Sequence, residues 1–411
     1  MNIKRIFLVA LGLLSLNFAI AQRCAKFGIT LTSNEDIAAF KTDYPGCKTV
    51  LGDLIVQGPI THIKDLVQID SVLGKVVISS GVGWDLDFKS FEGLNHLRYV
   101  GGDLNLSNNR VLTDIGDFDS LQYVGGSLRI LDSDSLKTLD GFPMLQHIGN
   151  DLDIGINDSL KSILSFKNIT TINGNLRVYN NYVLTDASGL ENIRFVGGQF
   201  TLHHCFKLTD LQGFKKVYKI MGGASITDMH ALESLNGLEN LIQIGGNGSI
   251  AGLLIENCAK LSDISAIRNV NLTNTYELRI WSNPQLEMCS YFNICQYVRS
   301  TKTIYNIGFN KGNCADKVTL KAACAVSSNE SISTNRLTFY PNPAKTELNL
   351  EWNEFSKIKE VYAIDAVGKK VNLVFNATYN SIDIRPLTNG AYQLEILTDE
   401  GKIFRSRMVK I

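Results

Sequence analysis

The sequence predicts an all-β-dominated chain: a leucine-rich β-solenoid of about nine to ten 24-residue coils with disulfide caps, then a small β-sandwich. Three observations predict it. Six consecutive 24-residue repeats fill residues 101–244, and a fixed period of this size marks stacked coils. Six of the eight cysteines flank the repeat region, two before it and four after it. Beyond Cys324 the period ends and short alternating apolar runs replace it.

The N-terminus reads as a signal peptide over residues 1–21. Lys4 and Arg5 precede an apolar run over 6–14, and Ala19-Ile20-Ala21 supplies a small-residue cleavage site before Gln22. The run is short for a membrane span, and no later stretch qualifies. Arg23 sits where a lipidated cysteine at position 24 would need a small neighbour. Export permits disulfides. Cys24 and Cys47 bracket the segment before the first coil and form the natural N-terminal pair.

The coil template opens on Gly-Gly, as in Gly101-Gly102, Gly125-Gly126 and Gly197-Gly198, and places apolar residues at positions 4, 6, 12, 15, 18, 21 and 24. Position 4 reads Leu104, Leu128, Leu152, Leu176, Phe200, Ala224, and position 6 reads Leu106, Ile130, Ile154, Val178, Leu202, Ile226. Their alternation is that of a strand. The steps of three that follow describe turns returning a side chain to the same interior. The glycine pair suits a corner needing positive φ or close backbone approach. Position 9 reads Asn109, Ser133, Asn157, Asn181, Cys205, Met229, then Cys258 and Asn283. A buried Asn there satisfies backbone groups of a neighbouring coil. Cys205 and Cys258 lie two coils apart in this column. At about 4.8 Å per coil their separation is roughly 9–10 Å, beyond the ~7 Å reach of a disulfide. Two buried free thiols are expected. Open solenoid ends invite edge pairing, so the flanking cysteines read as caps. For Cys289, Cys295, Cys314 and Cys324 three connectivities exist; Cys289–Cys314 with Cys295–Cys324 is preferred.

The text of these coils, GGxLxI…N/CxxL…GLxxLxxI, resembles the bacterial receptor-L-domain-like, leucine-rich-repeat-related surface proteins. The resemblance spans residues 24–324 and implies a right-handed β-solenoid. The stretch 49–100 fits loosely, because Gly81-Val82-Gly83-Trp84 interrupts the period.

Residues 325–335 are Ser/Asn-rich and read as a linker. The runs over 348–352, 361–364, 371–375, 382–384, 392–397 and 403–409 then read as strands of a small Ig-like β-sandwich. Residues 336–411 closely resemble the type A C-terminal sorting domain of the type IX secretion system. The match rests on Tyr340-Pro341-Asn342-Pro343-Ala344, on Asp365 with Gly368-Lys369, on Gly390-Ala391-Tyr392, and on Lys410 in the terminal basic-apolar strand. It implies a Bacteroidetes-type bacterium, passage through the periplasm and outer membrane, and a secreted or surface-attached product. The secretion machinery is the implied partner.

Formal net charge is zero, which removes the electrostatic footprint of a nucleic-acid binder. Solenoids bind along the face of their long sheet. Outward positions 5 and 7 supply Arg177, Tyr179, His203, Arg279 and Trp281 as candidate contacts to a glycan, peptide or protein. His203-His204-Cys205 invites a metal reading. Strand alternation argues that the three do not converge, so no metal or other cofactor is expected. Asp114, Asp186, Asp210 and Asp263 recur in turns; calcium between stacked coils is one reading and turn capping the simpler one. Catalysis would need carboxylates or bases gathered in one groove. Asp103, Asp151 and Asp153 are the nearest approach, and no nucleophile, zinc or phosphate motif appears. The expected function is therefore non-catalytic: an adhesin-like or receptor-like binding protein. The alternatives are a self-associating structural surface protein and a polysaccharide-processing enzyme.

Overall fold

The computed structural model describes residues 23–80, 88–246, 251–300, 304–329, 339–350, 357–365, 369–377, 380–399 and 403–411. The signal peptide (1–21), the Gly81–Trp84 interruption and Gly368 lie outside the described residues. The chain divides into two compact units, Met1–Cys324 and Ala325–Ile411.

The first unit is a parallel stack. Its long sheet holds twelve strands in sequence order: β1 (Ile29–Leu31), β2 (Leu54–Gln57), β3 (Val76–Ser79), β4 (Leu104–Asn105), β5 (Leu128–Leu131) and β6 (Leu152–Gly155). There follow β7 (Leu176–Tyr179), β8 (Phe200–His203), β9 (Ala224–Thr227), β10 (Gly252–Glu256), β11 (Glu277–Trp281) and β12 (Ile304–Gly308). Ten of these, β2 to β11, are coils; β1 and β12 belong to the caps. Register follows the repeat, with Leu128 beside Leu152, Leu176, Phe200, Ala224 and Leu253 in turn. Short two-residue strands at the ends of the coils up to β9 form parallel ladders on a second side, such as His147–Ile148 on Tyr123–Val124. The loosely periodic N-terminal stretch keeps the same pairing, Leu54 on Val76 and Val76 on Leu104.

The apolar columns fill the interior. Every residue named above at positions 4 and 6 is buried. At position 18 Phe118, Phe142 and Phe166 stack with ring centroids 5.3 and 5.7 Å apart. Close coil approach, rather than positive φ, accounts for two recurrent glycines. A Cβ on Gly125 would lie 2.1 Å from the Gly101 carbonyl oxygen, and one on Gly141 would lie 1.4 Å from that of Ile115.

Position 9 works as a ladder. Asn157 Nδ2 donates to the Ile130 carbonyl (3.0 Å), while its Oδ1 accepts from the Ser133 amide (3.0 Å). Asn283 repeats this toward Ile255 and Cys258. Cys205 and Cys258 stand in the same column as buried free thiols, their Sγ atoms 3.8 Å from the carbonyls of Val178 and Ile226.

Both ends are capped. At the N-terminus α1 (Asn34–Asp43) starts at a capping box of Ser33 and Asp36 and buries Ile37 and Phe40. Cys24 is bonded to Cys47. The C-terminal cap holds α2 (Phe292–Arg299), β12 and α3 (Lys317–Asn329), tied by Cys289–Cys314 and Cys295–Cys324. α3 runs on through Asn329, so the segment expected to be linker from residue 325 begins as helix. Ser and Asn weaken a helix only mildly, and one already nucleated carries through them.

The second unit is antiparallel. Its strands are β13 (Phe339–Tyr340), β14 (Glu347–Leu350), β15 (Ile358–Ile364), β16 (Lys370–Asn376), β17 (Ser381–Asp383), β18 (Gly390–Thr398) and β19 (Ile403–Lys410), hydrogen-bonded in the order β13-β14-β17-β16-β15-β18-β19. β16 turns the corner of the sandwich. Its first half pairs with β15 and its second half with β17. Both halves of the sheet bury one core, including Leu348, Val361, Ile382, Leu394, Ile396 and Met408.

The motif residues hold this unit together. Asn342, between two cis X-Pro bonds, donates to the Arg407 carbonyl (3.0 Å) and accepts from the Val409 amide (2.8 Å). Ala344 bridges to Lys410 on β19. Asp365 Oδ1 accepts from the Lys369 amide at 2.9 Å. Tyr392 donates its hydroxyl to the Thr388 carbonyl at 2.9 Å.

Candidate functional site

The outward face of the long sheet is built by positions 5 and 7, and the strand register decides what meets on it. Arg129, Asp153 and Arg177 are direct neighbours on β5, β6 and β7. Arg177 Nη1 lies 2.8 Å from Asp153 and 3.5 Å from Asp151, and Arg129 lies 2.8 Å from Asp103. Burial lifts the Asp153 carboxyl above its usual range, although Arg177 pulls the other way. Burial also acts on Asp103, but the Ser127 amide and Arg129 outweigh it and hold that carboxyl below the usual range. The strand carboxylates thus serve arginine pairing. Arg279 is bound likewise, 2.7 Å from Glu277 and 3.5 Å from Glu256.

Two of the expected aromatics lie over glycines of the adjacent coil. A Cβ on Gly155 would meet the Tyr179 ring at 2.6 Å, and one on Gly308 would meet the Trp281 ring at 2.6 Å. Each ring lies flat where the neighbour lacks a side chain. Arg177, Tyr179 and His203 fall on adjacent strands. Arg279 and Trp281 lie four strands from Tyr179, about 19 Å away at ~4.8 Å per strand. The five expected contacts therefore form two separate places.

A left-handed corner follows each strand and enlarges the first place. The residue at position 8 has φ between +51° and +62° in eight coils and after the cap strand β12: Asn108, Asp132, Ile156, Asn180, His204, Asp228, Asn257, Ser282 and Phe309. Asn and Asp tolerate this region best. The corner turns the position-8 side chain back beside the strand end. This overturns the expectation that His203 and His204 diverge. Their ring centroids are 3.7 Å apart, and with Asp228 they form a group whose ligand atoms all lie within 4.8 Å. Cys205 remains in the core. Burial and the neighbouring His204 ring hold His203 below the usual imidazole range. The Asn/Asp run at position 8 was the sequence signal for this corner.

Further rings join the cluster. Tyr182, Phe206 and His230 stack at position 10, with centroids 5.2 and 4.5 Å apart and interplanar angles of 20° and 4°. His204 meets Phe206 edge-on at 5.4 Å. At the second place Phe309, 71% exposed, meets Trp281 at 4.8 Å. The turn aspartates have a local role. Asp186, Asp210 and Asp263 each accept the amide two residues on, at 2.8, 2.9 and 2.7 Å.

A capped parallel solenoid with rings on its long-sheet side, in a chain that also carries an antiparallel C-terminal unit, defines the class: an exported repeat protein. Residues 338–410 match the family of secretion system C-terminal sorting domains. That tail directs the chain through type IX secretion to the cell surface or the extracellular space. No curated protein matches the chain. Among solved structures, an internalin-like protein of Listeria monocytogenes is similar at 12% identity, covering 84% of this chain and 88% of that one, with a TM-score of 0.29.

Proposed function

We propose that the exported chain is a non-catalytic binding protein that takes a glycan, peptide or protein on the face and corner of coils β7 to β9. The contiguous ring cluster carries this reading. Tyr182, Phe206, His230, His203 and His204 form one connected surface across three coils. Flat, partly exposed rings bind sugar faces and apolar side chains at low entropic cost. The strand carboxylates nearby are committed to arginines, which favours binding over acid–base catalysis. Arg177 and Tyr179 border the cluster on one side; Trp281, Arg279 and Phe309 supply a second contact farther along.

The test is a glycan-and-protein array probed with the purified chain. A saturable partner whose affinity falls about tenfold or more in Phe206→Ala and Tyr179→Ala supports the reading. A folded protein that binds nothing and self-associates in sedimentation defeats it in favour of the structural alternative. Trp281→Ala reports whether the second place takes part.

A further inference from the structure

We propose that His203, His204 and Asp228 form a binding site for a divalent transition-metal ion, zinc being the natural fit. The site stands on its own geometry, independently of any partner on the ring cluster. Asp228 Oδ2 lies 3.4 Å from His203 Nδ1 and 3.7 Å from His204 Nε2. Two ligands of a tetrahedral zinc at 2.0–2.1 Å are separated by about 3.3–3.4 Å. The three side chains therefore stand near ligating distance before any ion arrives.

Two of the three ligands are also oriented by a residue behind them. Asn180 Oδ1 lies 2.9 Å from His204 Nδ1; an amide oxygen accepts there, so the proton sits on Nδ1 and Nε2 presents its lone pair toward Asp228. Asn257 Nδ2 donates to Asp228 Oδ1 at 3.1 Å, which leaves Oδ2 for the ion. Such outer partners fix tautomer and ring orientation at metal centres. The Thr227 hydroxyl lies 2.6 Å from His203 Nδ1, the ligating atom itself, so metal binding there displaces this contact.

The fold explains why these residues meet. Asn180, His204, Asp228 and Asn257 are four consecutive position-8 corners, all with φ between +51° and +56°. Each reaches the next coil, giving a row Asn–His–Asp–Asn across four coils. His203 completes the set from the end of β8. All three ligands are half-buried, so a hydrated ion reaches them. Three protein ligands leave one tetrahedral position for water or for a donor group on a partner.

The experiment uses the full chain, stripped with a chelator and titrated with Zn2+ against a chromophoric competitor. Binding of one equivalent is expected. His204→Asn and Asp228→Asn are the informative variants, because Asn already occupies this corner in neighbouring coils and keeps the fold. Each is expected to weaken zinc binding about tenfold or more, and the double variant to abolish it. His147→Ala, on the second side of the stack, should leave it unchanged. Absence of stoichiometric zinc overturns the proposal. So does undiminished affinity in the double variant with unaltered circular dichroism. Co2+ substitution gives a second readout: visible absorption of a tetrahedral site, lost in His203→Gln.

Discussion

At the scale of single residues, two columns of the solenoid carry most of the chemistry. Position 9 holds buried polar groups whose value is satisfaction of backbone rather than burial. Asn157→Ala strands the Ser133 amide and removes one donor from the Ile130 carbonyl. An unsatisfied buried group costs about 1–3 kcal/mol, so this variant should lower the urea midpoint by an equivalent amount. Cys205→Ala removes only weak sulfur contacts and should cost about 1–2 kcal/mol, chiefly packing. Burial pushes the Cys205 and Cys258 thiols up to about 12. They should resist iodoacetamide in the folded protein, and mass spectrometry should find both alkylated after unfolding without reductant. Position 8 shows the converse. Ile156 is β-branched, at φ +56° and 39% exposed, where such a residue is strained. Ile156→Asn should raise stability by roughly 1 kcal/mol; an unchanged or lower midpoint would mean that its apolar contacts outweigh the strain.

At the scale of elements, the caps decide whether the stack survives. A coil contacts only its neighbours, so the last strand at each end needs cover. Breaking Cys289–Cys314 by a double Ser substitution should cost about 3 kcal/mol for a sequence separation of 25. Light scattering should then show association, since β12 loses part of its cover. The Arg–Asp rungs respond to pH. Asp103's folded carboxyl lies below its ordinary value, so the stability it contributes is complete above the unfolded value of about 3.9. It is lost as pH falls through the lower, folded one. In Asp103→Asn the acid-side loss should be smaller when unfolding is followed from pH 5 downward. In the tail, Asn342 clamps β19 by two backbone bonds, which explains why a motif read as an address is also a structural staple.

At the scale of the whole molecule, the two units divide the labour. The tail is matched to its family over residues 338–410, and the solenoid carries the face proposed above for binding. A chain ending at residue 335 should be retained inside the cell envelope, detected by fractionation. A reporter carrying 336–411 behind a signal peptide should reach the surface or medium. Retention of both forms alike would separate export from this tail.

The stacked architecture, the interior columns, the free thiols and the sorting tail were legible in the sequence, because each rests on a period or motif that neighbouring residues express locally. A side chain repeated every 24 residues meets its own kind in the next coil whatever the loops do. Tertiary structure decided what register and backbone sign bring together. The left-handed corner rotates His204 beside His203, where simple alternation sends it away. Strand pairing commits Arg177 and Arg279 to carboxylates, and the distance between coils separates Tyr179 from Trp281. These depend on φ at one residue and on contacts between coils, and neither quantity is written in the period.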